Sequence, residues 1–164
     1  RAAAAGVPTA VVRLRDYADR DAFSAAVAER LRDAEVDWVV LAGWLKILTA
    51  PMLEAFAGRM INTHPALLPS FGGPGMYGHR VHQAVLDYGC KVPGCTVHLV
   101  TEEVDGGPIL GQTAVPVAED DTAETLAARI LPHEHRLLVA CLRDLAAGKV
   151  SLFGRRARIA GREV

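Results

Sequence analysis

Met60-Ile61-Asn62-Thr63-His64-Pro65-Ala66-Leu67-Leu68-Pro69 is the stretch that decides how this chain is read. An apolar start gives way to polar residues at alternate positions and ends on a proline. In a strand, successive side chains alternate faces, so Asn62 and His64 point the same way. Pro65 has no N–H to offer a ladder, so the strand ends there and Leu67-Leu68-Pro69 leaves as a turn with apolar anchors. An amide and an imidazole side by side at a strand end can donate hydrogen bonds to an oxyanion and move a proton. Taken alone, Asn-x-His reads more simply as a turn cap beside a hydrogen-bonded histidine, so the rest of the chain has to decide.

Asp105-Gly106-Gly107-Pro108 is the second stretch with chemistry in it. A carboxylate brought near His64 favours the imidazolium and raises its pKa. The glycines let backbone approach a ligand closely, so Thr101–Asp105 is expected to lie along a flat ring and offer main-chain hydrogen bonds. No side chain reads as an activated nucleophile: Ser70 lacks a G-x-S-x-G setting, and no cysteine has a basic neighbour that suggests activation. Asn62, His64 and Asp105 together fit direct acyl transfer, in which an amine attacks a carbonyl and the protein stabilises the tetrahedral intermediate.

Working outward, Arg1–Ala5 reads as a helix end closed by Gly6, and Val7–Leu14 as a strand. Asp21–Arg32 has Phe23, Val27 and Leu31 at helical spacing. Trp38–Ala42 is a continuous apolar run, the pattern of a strand buried on both faces. Thr49 and Pro51 open a helix running to about Ala57, and Arg59–Thr63 is the next strand. Gly72, Gly73, Pro74, Gly75 and Gly78 form a loop, followed by a helix over Gly78–Tyr88 with Val81, Val85 and Tyr88 on one side. Gly94–Thr101 and Pro108–Val117 are expected to pair as an antiparallel extension. Asp121 offers a capping box for a helix to about Ala147, with a kink or break expected at Pro132. Val150–Phe153 and Ala157–Ile159 suggest a small terminal hairpin. Strands alternating with helices imply an α/β fold with a mainly parallel sheet. Ligands bind such sheets at the carboxyl ends of strands, where Gly43 and His64 lie.

Composition narrows the function classes. The 164 residues are 51% hydrophobic and 23% charged, which describes a globular chain read here as one domain over 1–164. A net charge of −1 gives no electrostatic footprint for nucleic acid or an anionic membrane. No apolar run approaches the ~20 residues of a membrane span, and Arg1–Ala5 has no signal-peptide core. Cys90, Cys95 and Cys141 are odd in number and lack C-x-x-C spacing, which suits buried thiols in a reducing, cytoplasmic setting. His79 and His82, three apart on a helix, raise a metal-dependent hydrolase as an alternative, with His64, His98 and Asp105 as further ligands. No H-E-x-x-H or comparable spacing supports it, so no metal is expected.

Three stretches taken together resemble the phosphoribosylglycinamide formyltransferase (GAR transformylase) family. They are Leu41-Ala42-Gly43-Trp44-Leu45-Lys46-Ile47-Leu48, Ile61–Pro69, and Gly94-Cys95-Thr96-Val97-His98-Leu99-Val100 with Asp105-Gly106-Gly107-Pro108-Ile109. The resemblance covers nearly the whole chain. It implies a Rossmann-like open sheet flanked by helices. It also implies transfer of a formyl group from 10-formyltetrahydrofolate, as co-substrate, to the amino group of glycinamide ribonucleotide in purine biosynthesis. Asn62, His64 and Asp105 match the family's catalytic trio. His64 would be general acid and oxyanion stabiliser, Asn62 would polarise the formyl oxygen, and Asp105 would set the state of His64 and an ordered water. Leu45, Lys46, Ile47 and Leu48 match the folate-holding segment, and Arg20 a folate contact. His98 and Glu134 match positions near the folate or the glycinamide substrate.

The resemblance also implies small-molecule partners only and a monomer or homodimer. The family begins with a strand and a Gly/Ser/Asn loop that cradles the substrate phosphate at a helix N-terminus. That loop does not appear in these residues, so a segment ahead of Arg1 is expected, and 1–164 made alone is expected to fold poorly or lack activity. Two relatives stay open as alternatives, a formyltetrahydrofolate hydrolase and a non-catalytic folate-binding module. A methionyl-tRNA formyltransferase would need a basic C-terminal extension, and Arg155, Arg156, Arg158 and Arg162 are too few.

Overall fold

The computed structural model describes residues 1–161, so Arg162 lies outside the described residues. Its regular elements in chain order are α1 (Arg20–Asp33), β1 (Val39–Leu41), α2 (Ala50–Ala55), β2 (Met60–His64), α3 (His79–Asp87), β3 (Gly94–Leu99), β4 (Ile109–Ala114), α4 (Ala123–Ala146), β5 (Val150–Phe153) and β6 (Arg156–Ile159). The six strands form one open sheet in the order β1-β2-β3-β4-β6-β5. This is the Rossmann-like α/β architecture expected from the sequence. The sheet is mixed: β1–β2 and β4–β6 run parallel, while β2–β3, β3–β4 and β5–β6 run antiparallel. The antiparallel part begins at β3, as the Gly94–Thr101 and Pro108–Val117 pair suggested.

Side-chain alternation along β2 explains both core and site. Met60 packs into a cluster with Ala28, Val39, Leu41, Met52 and Phe56 beneath α1 and α2. Ile61 points the other way, into Val97, Leu99, Leu110, Cys141 and Leu145 beneath α4. A third cluster, Val85, Cys95, Val115, Leu126 and Ile130, ties α3 to α4 and the sheet. Each buried Val, Leu, Ile, Phe or Met side chain among these contributes roughly 1.5–3 kcal/mol. Asn62 and His64 therefore share the Met60 face, and Thr63 shares the α4 face.

Several elements depart from expectation. Val7–Leu14 forms no strand; a short 3-10 turn covers Leu14–Asp16, and Val7 and Val11 are 54% and 77% exposed. Its β-rich composition finds no ladder to join, and β-propensity expresses itself only on a paired, half-buried surface. β1 is not buried on both faces, because Val40 is exposed on a strand at the sheet edge. Arg1–Ala5 gives a 3-10 turn over Ala3–Ala5, closed by Gly6 in the left-handed region. Thr49 occupies the N-cap position of α2, but its hydroxyl is turned to Arg20 O and makes no cap.

Tyr88 is exposed rather than on the apolar side of α3, and its ring meets Phe71 edge-on. The cap of α4 is Thr122, one residue later than expected, in a reciprocal pair with Thr125. Asp121 is instead gripped by Arg129, at 2.6 Å to Oδ2. Pro132 does not divide α4, which runs as one helix. The three cysteines are not joined by disulfides.

Candidate functional site

The end of β2 delivers His64 almost wholly buried, at 3% exposure. Its Nε2–H donates to Phe71 O at 2.8 Å, because a carbonyl can only accept. Nδ1 lies 3.5 Å from Asp105 Oδ2. Both ring nitrogens face acceptors, the arrangement that suits an imidazolium. Burial opposes it and prevails: desolvation pushes the His64 pKa below 6.5, with Asp105 and Phe71 O pushing back and His98 adding to the fall. This corrects the expectation of a raised value. Asp105 does act in the expected direction, but the ring is too far from water for one carboxylate to win.

Asp105 reaches the site from a turn in which it takes a left-handed φ of 56°. Its Oδ2 accepts the Gly73 N–H at 3.0 Å, and Oδ1 lies 3.5 Å from His98 Nε2. Burial alone would raise this carboxyl. His98, His64 and the Gly73 amide outweigh it and hold it below the usual range.

His98 stands directly opposite Asn62 in the β2–β3 register. Its Nδ1–H donates to Leu99 O at 2.9 Å, and its Nε2 lies 3.3 Å from the Asn62 amide nitrogen and 3.5 Å from Asp105 Oδ1. One Asn62 amide N–H faces His98 and the other remains available. On the other face of β2, the Thr63 hydroxyl donates to Glu134 Oε1 at 3.2 Å. Burial raises the Glu134 pKa, against Thr63 and His135.

These groups line one cavity of about 980 Å³. Arg20, Leu45, Lys46, Ile47, Leu48 and Glu134 line it too, so every site residue expected from the sequence faces the same space. Gly43, at φ 65°, turns the chain off β1 into the Leu45–Leu48 segment. No helix among the described residues is long and apolar enough to cross a membrane.

Trp44 and the backbones of Phe71 and Gly73 were not singled out from the sequence. Trp44 stacks on Phe23 with ring centroids 6.1 Å apart, and its buried indole N–H has no partner. A tryptophan flanked by Gly43 and Leu45 looks like core, so only its position inside the Leu41–Leu48 motif could have flagged it. Phe71 and Gly73 act through backbone, which the sequence does not mark. His82 is buried with Nδ1 unpartnered, and burial, then His79 and His64, lower its pKa. Its neighbour His79 pairs with Glu124 at 2.7 Å on the exposed side. Among the described residues, no group of three His, Cys, Asp or Glu side chains is arranged to hold a metal ion.

Residues 1–142 match the formyl transferase family. The phosphoribosylglycinamide formyltransferase of Mycobacterium tuberculosis is 49% identical over 163 residues, covering 99% of this chain and 73% of that protein. The trifunctional purine biosynthetic protein adenosine-3 of Bos taurus is 44% identical over 152 residues, 93% of this chain, and the match spans 15% of that much longer protein. Among solved structures, glycinamide ribonucleotide transformylase 1 from Symbiobacterium toebii superposes with a TM-score of 0.91 at 47% identity, over 96% of this chain and 72% of that one. A formyltetrahydrofolate deformylase from Pseudomonas syringae superposes at 0.85 with 28% identity, over 96% and 51%. The chain belongs to the formyl transferase family, among the phosphoribosylglycinamide formyltransferases.

Proposed function

We propose that this protein transfers a formyl group from N10 of 10-formyltetrahydrofolate to the amino group of glycinamide ribonucleotide. The observation that carries the reading is the meeting of Asn62, His64, His98 and Asp105 within 3.3–3.5 Å contacts on one cavity wall. The apolar Leu45–Leu48 segment lines the same space and offers a surface for the folate ring. Arg20 and Lys46 supply positive charge there for the folate's carboxylates, and Glu134 supplies an acceptor for the substrate amine.

The amine lone pair forms a bond to the formyl carbon, and the carbonyl electron pair moves onto oxygen. The free Asn62 N–H stabilises that oxyanion. The nitrogen that attacked now carries an extra proton. His64, neutral because it is buried, takes that proton, and Asp105 stabilises the imidazolium so formed. The proton passes to N10 as the C–N10 bond breaks and the carbonyl re-forms. Atoms and charge balance with no further reactant.

The likeness to a deformylase keeps one second reading, attack by water in place of the amine. Assaying the full-length protein with and without glycinamide ribonucleotide separates the two. Ribonucleotide-dependent loss of the formyl donor supports transfer. Formate release at the same rate without ribonucleotide overturns it.

A further inference from the structure

The loop that carries Asp105 is shaped by contacts from the far end of the chain. Glu103–Gly106 is a tight turn, closed by Gly106 N–H donating to Glu103 O at 3.0 Å, with Asp105 at its positive φ. The Glu103 side chain folds back across Gly106, where an added Cβ would sit 2.3 Å from Glu103 Cδ. Arg155 then caps the assembly. Its Nη1 donates to Glu103 Oε2 at 3.2 Å, and its Nη2 donates to Gly106 O. One planar fork thus grips a side chain at the start of the turn and a carbonyl at its end.

The sheet explains why Arg155 is there. Gly154 and Arg155 form the turn of the β5–β6 hairpin, in which Phe153 pairs with Arg156. Arg156 also pairs in parallel with Ile109 of β4, the residue where the Asp105 loop rejoins the sheet. The hairpin is thereby stitched to the sheet beside that loop, which aims Arg155 back at Gly106.

We propose that Arg155 is a positioning residue: the hairpin turn braces Glu103–Gly106 and so holds the Asp105 carboxylate between His64 and His98. The role rests on the formyl-transfer reading for its consequence, but the brace itself is a statement about where Asp105 stands. Arg155 and Glu103 are both exposed, at 72% and 68% of their side chains. An exposed pair of this kind adds little to global stability. What it restrains is a turn whose central residue has a left-handed backbone.

The test uses the full-length protein with Arg155→Ala, Arg155→Lys and, on the same hairpin, Arg158→Ala, whose guanidinium lies over Phe153 instead. His64 is titrated by NMR and formyl transfer is followed in parallel. Asp105 pushes the His64 midpoint up, so Arg155→Ala is expected to move it down. kcat is expected to fall about tenfold, less than the ~10²-fold that a 1 Å misplacement can cost, with both KM values and the melting temperature unchanged. Arg155→Lys recovers part of the loss, and Arg158→Ala matches wild type. An unchanged His64 midpoint in Arg155→Ala overturns the brace, whatever happens to kcat. So does an equal effect from Arg158→Ala, which would mean that the hairpin matters only as a whole. If wild type transfers no formyl group, the functional reading fails while the His64 titration still decides the brace.

Discussion

His64 Nδ1 and Asp105 Oδ2 stand 3.5 Å apart with only 4% and 10% of their side chains exposed, one at the end of a strand and the other in a left-handed turn. Asp105→Asn keeps the shape and removes the charge. His64 then loses what opposes its desolvation, so its titration midpoint falls further below 6.5. The proton it must carry is held less well, and kcat falls by about 10²-fold or more with KM little changed. Steady-state kinetics and NMR titration of the variant check both effects.

Asn62 splits its amide donors between His98 Nε2 at 3.3 Å and the cavity. Asn62→Ala removes the neutral oxyanion donor. The expected loss is about 10²–10³-fold in kcat, with a smaller effect on KM. A loss confined to KM would place Asn62 in ground-state binding instead.

The buried histidines set an acid limit on stability. His64 and His82 both have folded pKa values below the unfolded value of 6.5. As pH falls through 6.5, the unfolded chain takes up protons that the folded chain does not. Their contribution is therefore complete above 6.5 and lost as pH drops through the folded values. His82→Gln should flatten this dependence. Urea midpoints are expected to fall less between neutral and mildly acidic pH in the variant than in wild type; equal slopes would contradict the assignment.

Gly107 follows the Asp105 turn where backbones crowd. A Cβ there would lie 1.8 Å from Leu99 O, and a main-chain carbonyl has no side-chain rotamer by which to yield. Gly107→Ala is expected to destabilise by roughly 1–3 kcal/mol. It should also lower activity by shifting the loop. Urea denaturation checks the first and the transfer assay the second.

The sequence made β2 and its polar end legible because strand alternation and a terminating proline are local signals. It also marked Asp105, through the glycines that follow it. The direction of the His64 pKa was not legible, since it depends on three-dimensional burial that outweighs a visible charge partner. Val7–Leu14 misled because a strand needs a neighbour, and residue type alone does not supply one. Trp44 was obscured because an apolar motif looks the same in a core and in a cavity wall, and His82 entered only through the metal-ligand alternative. The Phe71 carbonyl and the Gly73 amide, which hold His64 and Asp105, have no side-chain signature at all.

The central claim is that His64 moves the proton in formyl transfer. Its most direct test is kcat for the full-length protein and its His64→Ala variant, with 10-formyltetrahydrofolate and glycinamide ribonucleotide both saturating. The account predicts ribonucleotide-dependent transfer by wild type and a loss of at least about 10²-fold in the variant. A near wild-type kcat in His64→Ala would contradict it.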